Sequence, residues 1–386
     1  MTDRARSGAV AGLVFDDRYL QHNPGAYPLS DGAAYPFVDP VLHLSNHRLV
    51  MRTKHLIDLS GLSDRLERIP ARPATESDLR RYHTAAHIAR VKDLSAGVGG
   101  ETGDGAPAGP GSYEVARLAA GGVLAAVDAV VAGPVRRVFA NVRPPGHHAV
   151  NDRGMGYCLF NNVALAAMYV RERHGLQRIL IVDWDVHHGN GTQDAFWTDP
   201  NVLFISLHQD ELYPAKSGLL EQTGEGEGAG YTVNIPLPAG CGDAAYRAAF
   251  ERVVLPIATA FQPELVLVSA GQDANAMDQH GRMSLSTDAY RWMTQAMIDL
   301  AETHAASRLV IAQEGGYSEL YAPYCTLAIV ETLAEHQTNL PEPIAPDRLA
   351  AQPQSSTVGQ DAEAAIAAAE GRHGEVWGAP RFPSGV

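Results

Sequence analysis

The chain has 386 residues, 45% of them hydrophobic and 19% charged, and a formal net charge of -14. This supplies ample apolar material for a buried core, and the acidic balance excludes the basic footprint on which nucleic-acid binding depends. Three widely spaced cysteines, Cys158, Cys241 and Cys325, describe neither a disulfide framework nor a Cys-x-x-Cys metal site; no run approaches a membrane span, residues 1–12 lack the apolar region of a secretion signal, and a cytoplasmic location is the expectation.

From the N-terminus, the first buried strand is expected at residues 10–15. A loop rich in Gly and Pro spans 95–112, and a helical stripe carrying Val115, Leu118, Val123, Leu124, Val127 and Val131 runs over 113–132 until Gly133 and Pro134 stop it. Strands follow at 137–142, 178–183, 202–207, 265–269 and 309–312, with helices at 161–174, 243–261 and 288–304 between them. The strand runs are continuously apolar rather than alternating, which predicts burial on both faces and therefore a parallel sheet. Strand and helix in alternation give a layered α/β domain. Residues 224–230 read as a Gly-rich turn, and the tail from residue 341 reads as a Pro- and Ala-rich peripheral extension with a short helical patch at 361–370.

In such sheets functional residues gather beyond the carboxyl ends of the strands, and three unusual motifs fall there. After the strand 178–183 comes Asp183-Trp184-Asp185-Val186-His187-His188-Gly189-Asn190. In extended chain residues i and i+2 share a side, so Asp183, Asp185 and His187 would project together. A carboxylate and an imidazole at this spacing suit zinc, and Asp273, in Ser269-Ala270-Gly271-Gln272-Asp273 at the next strand end, is the best third ligand. Three protein ligands with one open position mark a catalytic site. By itself the first motif is also compatible with a polar cap and turn. The second motif is Arg143-Pro144-Pro145-Gly146-His147-His148, a rigid turn presenting two imidazoles for acid–base work. The third is Glu314-Gly315-Gly316-Tyr317, weak alone, whose glycines let the chain bend so that the phenol enters a cleft and donates to an oxyanion.

These strings, together with Gly156-Tyr157-Cys158-Leu159-Phe160-Asn161-Asn162, resemble those of the zinc-dependent histone deacetylase family, in particular class II enzymes and their bacterial relatives, the histone deacetylase-like amidohydrolases and acetylpolyamine amidohydrolases. The resemblance runs from about Gly12 to about Glu335. It implies an arginase/deacetylase-type three-layer α/β fold with a central, mostly parallel sheet, residues 1–340 forming the catalytic domain and 341–386 the extension. It implies one zinc per chain on Asp185, His187 and Asp273. His148 would be the general base and acid, His147 its electrostatic partner, Asp183 and Asn190 the respective contacts of His147 and His148, and Tyr317 the group polarising the acetyl carbonyl. A structural potassium would use Asp183, Asp185, His187, Ser206 and Leu207, and a second monovalent site Phe196, Asp199, Val202 and Tyr231. Gly156, Tyr157, Tyr213 and His280 would border a narrow substrate channel, with His22 and His43 the other histidines nearest to it. Where eukaryotic-type polyamine deacetylases place an acidic gatekeeper, this chain has His280, which speaks against strict polyamine selectivity. Arginase-type two-metal chemistry is excluded because the positions of its extra carboxylates hold Gly189 and Asn275. The expected activity is hydrolysis of an acylated amine, either a small molecule or an acetyl-lysine side chain, to acetate and free amine. The alternatives are an acetylpolyamine-selective enzyme and a catalytically silent metal-binding interaction protein. No membrane or nucleic-acid partner is expected, and self-association is left open.

Overall fold

A computed structural model describes residues 10–27, 41–344, 348–349 and 355–378. Eight strands form the central sheet: β1 Ala11–Val14, β2 Glu67–Ile69, β3 Arg137–Ala140, β4 Ile179–Asp183, β5 Val202–Gln209, β6 Thr232–Leu237, β7 Leu265–Ala270 and β8 Leu309–Gln313. Their order across the sheet is β6-β5-β4-β7-β8-β3-β1-β2, and every pairing is parallel. This is the α/β deacetylase-type architecture expected from the sequence. The chain first builds one half around β1 and jumps to β4. It then builds outward to β6 before β7 and β8 fill the gap, so β4, β7, β8 and β3 end up side by side in the middle.

The continuous apolar runs follow from burial on both faces. Leu180 and Val182 join a hydrophobic cluster with Tyr246, Phe250, Tyr290 and Met297 on one side, while Ile179 and Ile181 join Leu118, Val127, Val163 and Val170 on the other. The two faces of one strand thus point into two separate helical layers.

The helices Ser112–Val131, Asn162–His174 and Thr287–His304 lie within a residue of their expected bounds. The third expected helix is interrupted: Asp243–Ala249 and Leu255–Phe261 are joined by a π-helical turn, Phe250–Val254. Pro256 lacks the N–H that a regular helix would use there, and a π-turn accommodates the missing bond. Strands β2 and β6 have no counterpart in the sequence reading. Both are sheet edges; β2 is short with exposed Glu67 and Arg68, and β6 contains Pro236, which demotes an otherwise strand-like run. The helices Arg48–Leu59, Ala85–Ala96 and Ala322–Leu333 are likewise additional.

The helical patch of the tail is longer than expected, Ser356–Trp377. Its Ala362, Ile366 and Ala369 are buried in the main hydrophobic cluster, Arg252 bonds both Glu363 and Glu370, and the Trp377 indole donates to the Gly230 carbonyl at 3.0 Å. None of the helices is long and apolar enough to cross a membrane, among the described residues.

Candidate metal centre and its surrounding loops

The four central strands end at residues 140, 183, 270 and 313, and the segments just beyond them carry every motif singled out above. After β4 the chain does not continue extended, so strand alternation is not what gathers Asp183, Asp185 and His187. Asp183 Oδ1 accepts the backbone N–H of Asp185 at 3.1 Å, and Asp185 Oδ1 accepts that of His187 at 2.9 Å. These are two successive Asx-type turns. They rotate Asp185 and His187 inward while leaving Asp183 at the strand end.

Asp185, His187 and Asp273 converge, their ligand atoms all lying within 4.8 Å of one another. His187 Nδ1 is 2.9 Å from Asp185 Oδ1 and 3.2 Å from Asp273 Oδ2. All three side chains are buried. Asp185 Oδ2 accepts the Gly315 N–H at 2.9 Å, and Asp273 Oδ1 accepts that of Val186 at 2.9 Å. Asp273 Oδ2 is buried, and its polar neighbour is the His187 Nδ1 at 3.2 Å, outside good hydrogen-bond geometry; a buried carboxylate oxygen so placed is stabilised by a cation facing it. Burial and the neighbouring Asp185 charge push Asp273 up to about 7. Burial opposes charge on His187, but its bonds to Asp185 and Asp273 outweigh that and push it to about 10. Two carboxylates and an imidazole this close are three bases competing for one cation. The donor set therefore fits a divalent ion of zinc's preferences, and it leaves a coordination position open.

A second cluster, His147, Cys158 and Glu314, also brings ligand atoms within 4.8 Å. There, burial holds the Cys158 thiol well above its ordinary range, and Glu314 Oε2 is already engaged by the backbone N–H groups of Gly146 (2.6 Å) and His147 (3.1 Å). His147 Nδ1 there is also taken, by Asp183 at 2.9 Å, so the first cluster, two carboxylates around one imidazole, is the better metal site.

The paired imidazoles stand beside it, ring centroids 4.0 Å apart. His147 Nδ1 is 2.9 Å from Asp183 Oδ2, and its Nε2 is 3.7 Å from Asp185 Oδ2. Burial alone would lower its basicity, but the Asp185 and Asp183 carboxylates raise it well above the ordinary imidazole value. His148 differs. Its Nδ1 is 2.8 Å from the Asn190 Oδ1, while the Asn190 amide donates to the His148 carbonyl at 3.2 Å. A carboxamide oxygen only accepts, so His148 Nδ1 carries the proton and Nε2 keeps its lone pair. Burial, then the charges of His147 and His187, push His148 well below the ordinary value. The surroundings thus favour the charged form of one histidine and the neutral form of its neighbour.

Tyr317 follows two glycines. A Cβ on Gly315 would lie 2.2 Å from Asp273 Oδ2 and 2.7 Å from Asp185 Oδ2, so only glycine lets this backbone approach the carboxylates. Burial, with Asp273 and Asp185 nearby, holds the Tyr317 phenol well above its ordinary value, as a proton donor. Tyr157 stands on the Tyr317 side, ring centroids 5.8 Å apart, and Tyr213 on the His148 side at 4.9 Å. The Gly156 between them has φ +48, and a Cβ there would meet His148 Cδ2 at 2.4 Å and Tyr213 Cε1 at 2.9 Å. His280 lies 4.4 Å from the Tyr317 ring and 3.5 Å from the Tyr157 hydroxyl, and burial, then the His187 charge, lowers it to about 4. His43 packs edge-on against Tyr157 at 4.8 Å, whereas His22 is buried against Ser112.

The residues assigned to potassium fall in two groups. Asp183 and Ser206 are direct neighbours across β4 and β5, with Leu207 next in line and Asp185 and His187 just beyond β4. Phe196 and Asp199 are joined by a backbone bond of 3.1 Å, Val202 opens β5, and the Tyr231 carbonyl accepts from Phe204 at 2.9 Å. Three side chains in contact with the loops around the site were not singled out in the sequence: Asp278, which accepts the Tyr317 N–H at 2.6 Å; Asp104, at 3.4 Å from the Tyr213 hydroxyl; and the buried Arg143 guanidinium, which donates to the carbonyls of Tyr19, His22 and Ser45. Arg143 and Glu314 lie inside quoted motifs; Asp278 and Asp104 carry no local signal.

Comparison with known proteins points the same way. Residues 43–333 match the family described as "Histone deacetylase domain". The chain is 44% identical over 334 residues to a histone deacetylase-like amidohydrolase of Pseudomonas aeruginosa, covering 86% of this chain and 88% of that one. It is 35% identical over 328 residues to a probable deacetylase of Archaeoglobus fulgidus (84% and 86%), and 40% identical over 300 residues to the human polyamine deacetylase HDAC10, of which the match spans 44% and of this chain 74%. The solved crystal structure of an HDA15 HD domain superposes with a TM-score of 0.82 at 32% identity, covering 96% of each chain.

Proposed function

The chain belongs to the histone deacetylase family and is a hydrolytic deacetylase, and from that premise we propose that it removes acetyl groups from acetyl-lysine-like acylated amines at one zinc ion held by Asp185, His187 and Asp273. The observation that carries the reading is the convergence of the buried Asp185, His187 and Asp273, whose ligand atoms all lie within 4.8 Å of one another. A zinc ion there would supply a Lewis acid for the acetyl carbonyl and would acidify a water.

The remaining roles belong to the chain's own side chains. His148 Nε2, fixed as the lone-pair nitrogen by Asn190, takes a proton from the attacking water and returns it to the leaving nitrogen. His147, held by Asp183, keeps positive charge beside the reacting centre. The Tyr317 hydroxyl donates to the oxygen on which negative charge develops. Amide and water thus give acetate and a free amine. Gly156, Tyr157 and Tyr213 shape a slot for an unbranched apolar stem. We read Asp183, Asp185, His187, Ser206 and Leu207 as a structural potassium site and Phe196, Asp199, Val202 and Tyr231 as a second monovalent site. In the same reading the catalytic unit is 1–340, with the tail packed on it as an extension, in a cytoplasmic setting that suits three buried free cysteines.

His280 supports acetyl-lysine over polyamine, because a neutral imidazole brings no negative charge to pair with a second ammonium group. One observation favours the polyamine alternative: the exposed Asp104 carboxylate beside the Tyr213 hydroxyl. The deciding experiment is a parallel rate comparison on acetyl-lysine peptides and N-acetylated polyamines, before and after metal stripping and zinc restoration. Zinc-dependent turnover highest on acetyl-lysine is expected. Faster turnover of acetylpolyamines would reverse the substrate order, and zinc binding without turnover of any acylamine would make the chain a silent metal-binding protein.

A further inference from the structure

The proposed oxyanion donor is poorly restrained by its own sequence. Tyr317 follows Gly315 and Gly316, and Gly316 sits at φ +130, a conformation open to glycine but rarely to other residues. Two consecutive glycines set no preferred direction for the phenol that follows. Its aim must be set from outside the turn.

We infer that Asp278 is the positioning residue that sets it, by fastening the Tyr317 turn to the loop that follows Asp273. Asp278 Oδ2 accepts the backbone N–H groups of both Tyr317, at 2.6 Å, and Ser318, at 2.8 Å. Its Oδ1 accepts the N–H of His280 at 3.0 Å. The Asn275 amide approaches the same carboxylate at 3.5 Å. Among the described residues no Lys or Arg forms an ion pair with it. The carboxylate is therefore spent on holding backbone.

The two segments it ties together carry the rings that face each other over the site, Tyr317 and His280, centroids 4.4 Å apart. They leave the ends of β7 and β8, neighbouring strands paired Ser269 to Ala312, so the sheet fixes where the segments begin and Asp278 fixes where they finish. Gly315 is anchored upstream by its own bonds, N–H to Asp185 and carbonyl to the Gln272 N–H at 3.0 Å. Between that anchor and Asp278 only Gly316 is unrestrained. With both ends held, its freedom no longer reaches the phenol. Without Asp278 the N–H groups of Tyr317 and Ser318 lose their acceptor, and the downstream end keeps only the bonds of Ser318 to Tyr321 and Ala322.

This inference rests on the proposed role of Tyr317, so the experiment separates the two. Zinc-loaded Asp278→Asn, Asp278→Ala, Tyr317→Phe and the Asp278→Asn/Tyr317→Phe double variant are compared with the parent on an acetyl-lysine peptide, with kcat, KM, zinc per chain and thermal unfolding recorded. Misplacing a reacting group by about 1 Å costs on the order of 100-fold. Asp278→Ala should therefore lose about that much in kcat with little change in KM, and Asp278→Asn, which keeps the size and one acceptor oxygen, should lose less. Zinc should stay at one per chain, and the double variant should be no slower than Tyr317→Phe, because both changes disable one group. Should Asp278→Ala fail to fold, Asp278→Asn and the double variant carry the comparison. A slow Tyr317→Phe beside a normal Asp278→Asn, or losses that multiply in the double variant, overturns the inference alone. Parental turnover by Tyr317→Phe overturns the oxyanion reading and the inference with it.

Discussion

Replacing Gly315 by Ala tests the metal site through geometry alone. Gly315 does not occupy the left-handed region, so alanine adopts its backbone without strain, and the whole effect must come from one methyl group. That methyl would lie 2.2 Å from Asp273 Oδ2 and 2.7 Å from Asp185 Oδ2, both inside the 3.0 Å that a Cβ tolerates. The backbone has no room to retreat, since its N–H is bonded to Asp185 and its carbonyl to Gln272. Asp273 is pinned at its other oxygen by Val186. The carboxylates must swing by roughly 1 Å, about half the ~2.0–2.2 Å length of a zinc–oxygen bond. A loss of about 10–100-fold in zinc affinity is expected, by analogy with removal of groups that orient metal ligands, together with about 1–3 kcal/mol of overpacking. Chelator competition gives the affinity, elemental analysis the stoichiometry, and thermal unfolding with and without zinc the packing cost. Gly359→Ala, where the added Cβ meets nothing within 4 Å, is the control and should be neutral or slightly stabilising, by up to about 1 kcal/mol. Parental zinc affinity in Gly315→Ala would show that Asp185 and Asp273 do not hold the ion together.

Three further outcomes are expected. His148→Ala should lose roughly 10²–10⁴-fold in kcat, the usual worth of a general acid–base group, while keeping one zinc; near-parental turnover would remove His148 from the chemistry. The contribution of the buried, neutral His373 to stability should fall as the pH drops from neutrality. For His373, burial lowers the imidazole from 6.5 to about 4, so the unfolded chain binds the proton first, and its contribution is intact above about 6.5 and lost as the pH falls through that window, by about 1.4 kcal/mol at pH 5.5. Urea unfolding should show the parent losing about 1 kcal/mol more than His373→Asn between pH 7 and 5.5, and an equal change in both would contradict this. Ile366→Ala, in the tail helix and 1% exposed, should cost about 2–5 kcal/mol in denaturant melts; a change below about 0.5 kcal/mol would mean that the helix is not seated on the core in solution.

The sequence and the structure divide the explanation of this protein in a particular way. The strands β3, β4, β5, β7 and β8 were legible because burial on both faces demands unbroken apolar runs such as Ile179–Val182. The edge strands β2 and β6 were not, since an edge tolerates Glu67, Arg68 and Pro236 and so lacks the signal. The tail helix showed only in part, because its stability comes from seating Ile366 and Ala369 on the core more than from local pattern.

The same division holds at the site. Residue types at the strand ends were enough to nominate Asp185, His187, Asp273, His147, His148 and Tyr317, since metal and proton chemistry needs those side chains whatever the surrounding geometry. The sequence could not say that Asx-type turns, and not strand alternation, aim Asp185 and His187, nor that Asn190 sets the tautomer of His148 from 42 positions away. Nor could it single out Asp278, an ordinary loop aspartate until β7 and β8 pair and bring the Tyr317 backbone within 2.6 Å of it. Chemistry is carried by single side chains and is written along the chain. Aim and protonation depend on distances between segments that meet only once the sheet has formed, so the tertiary structure alone decides them.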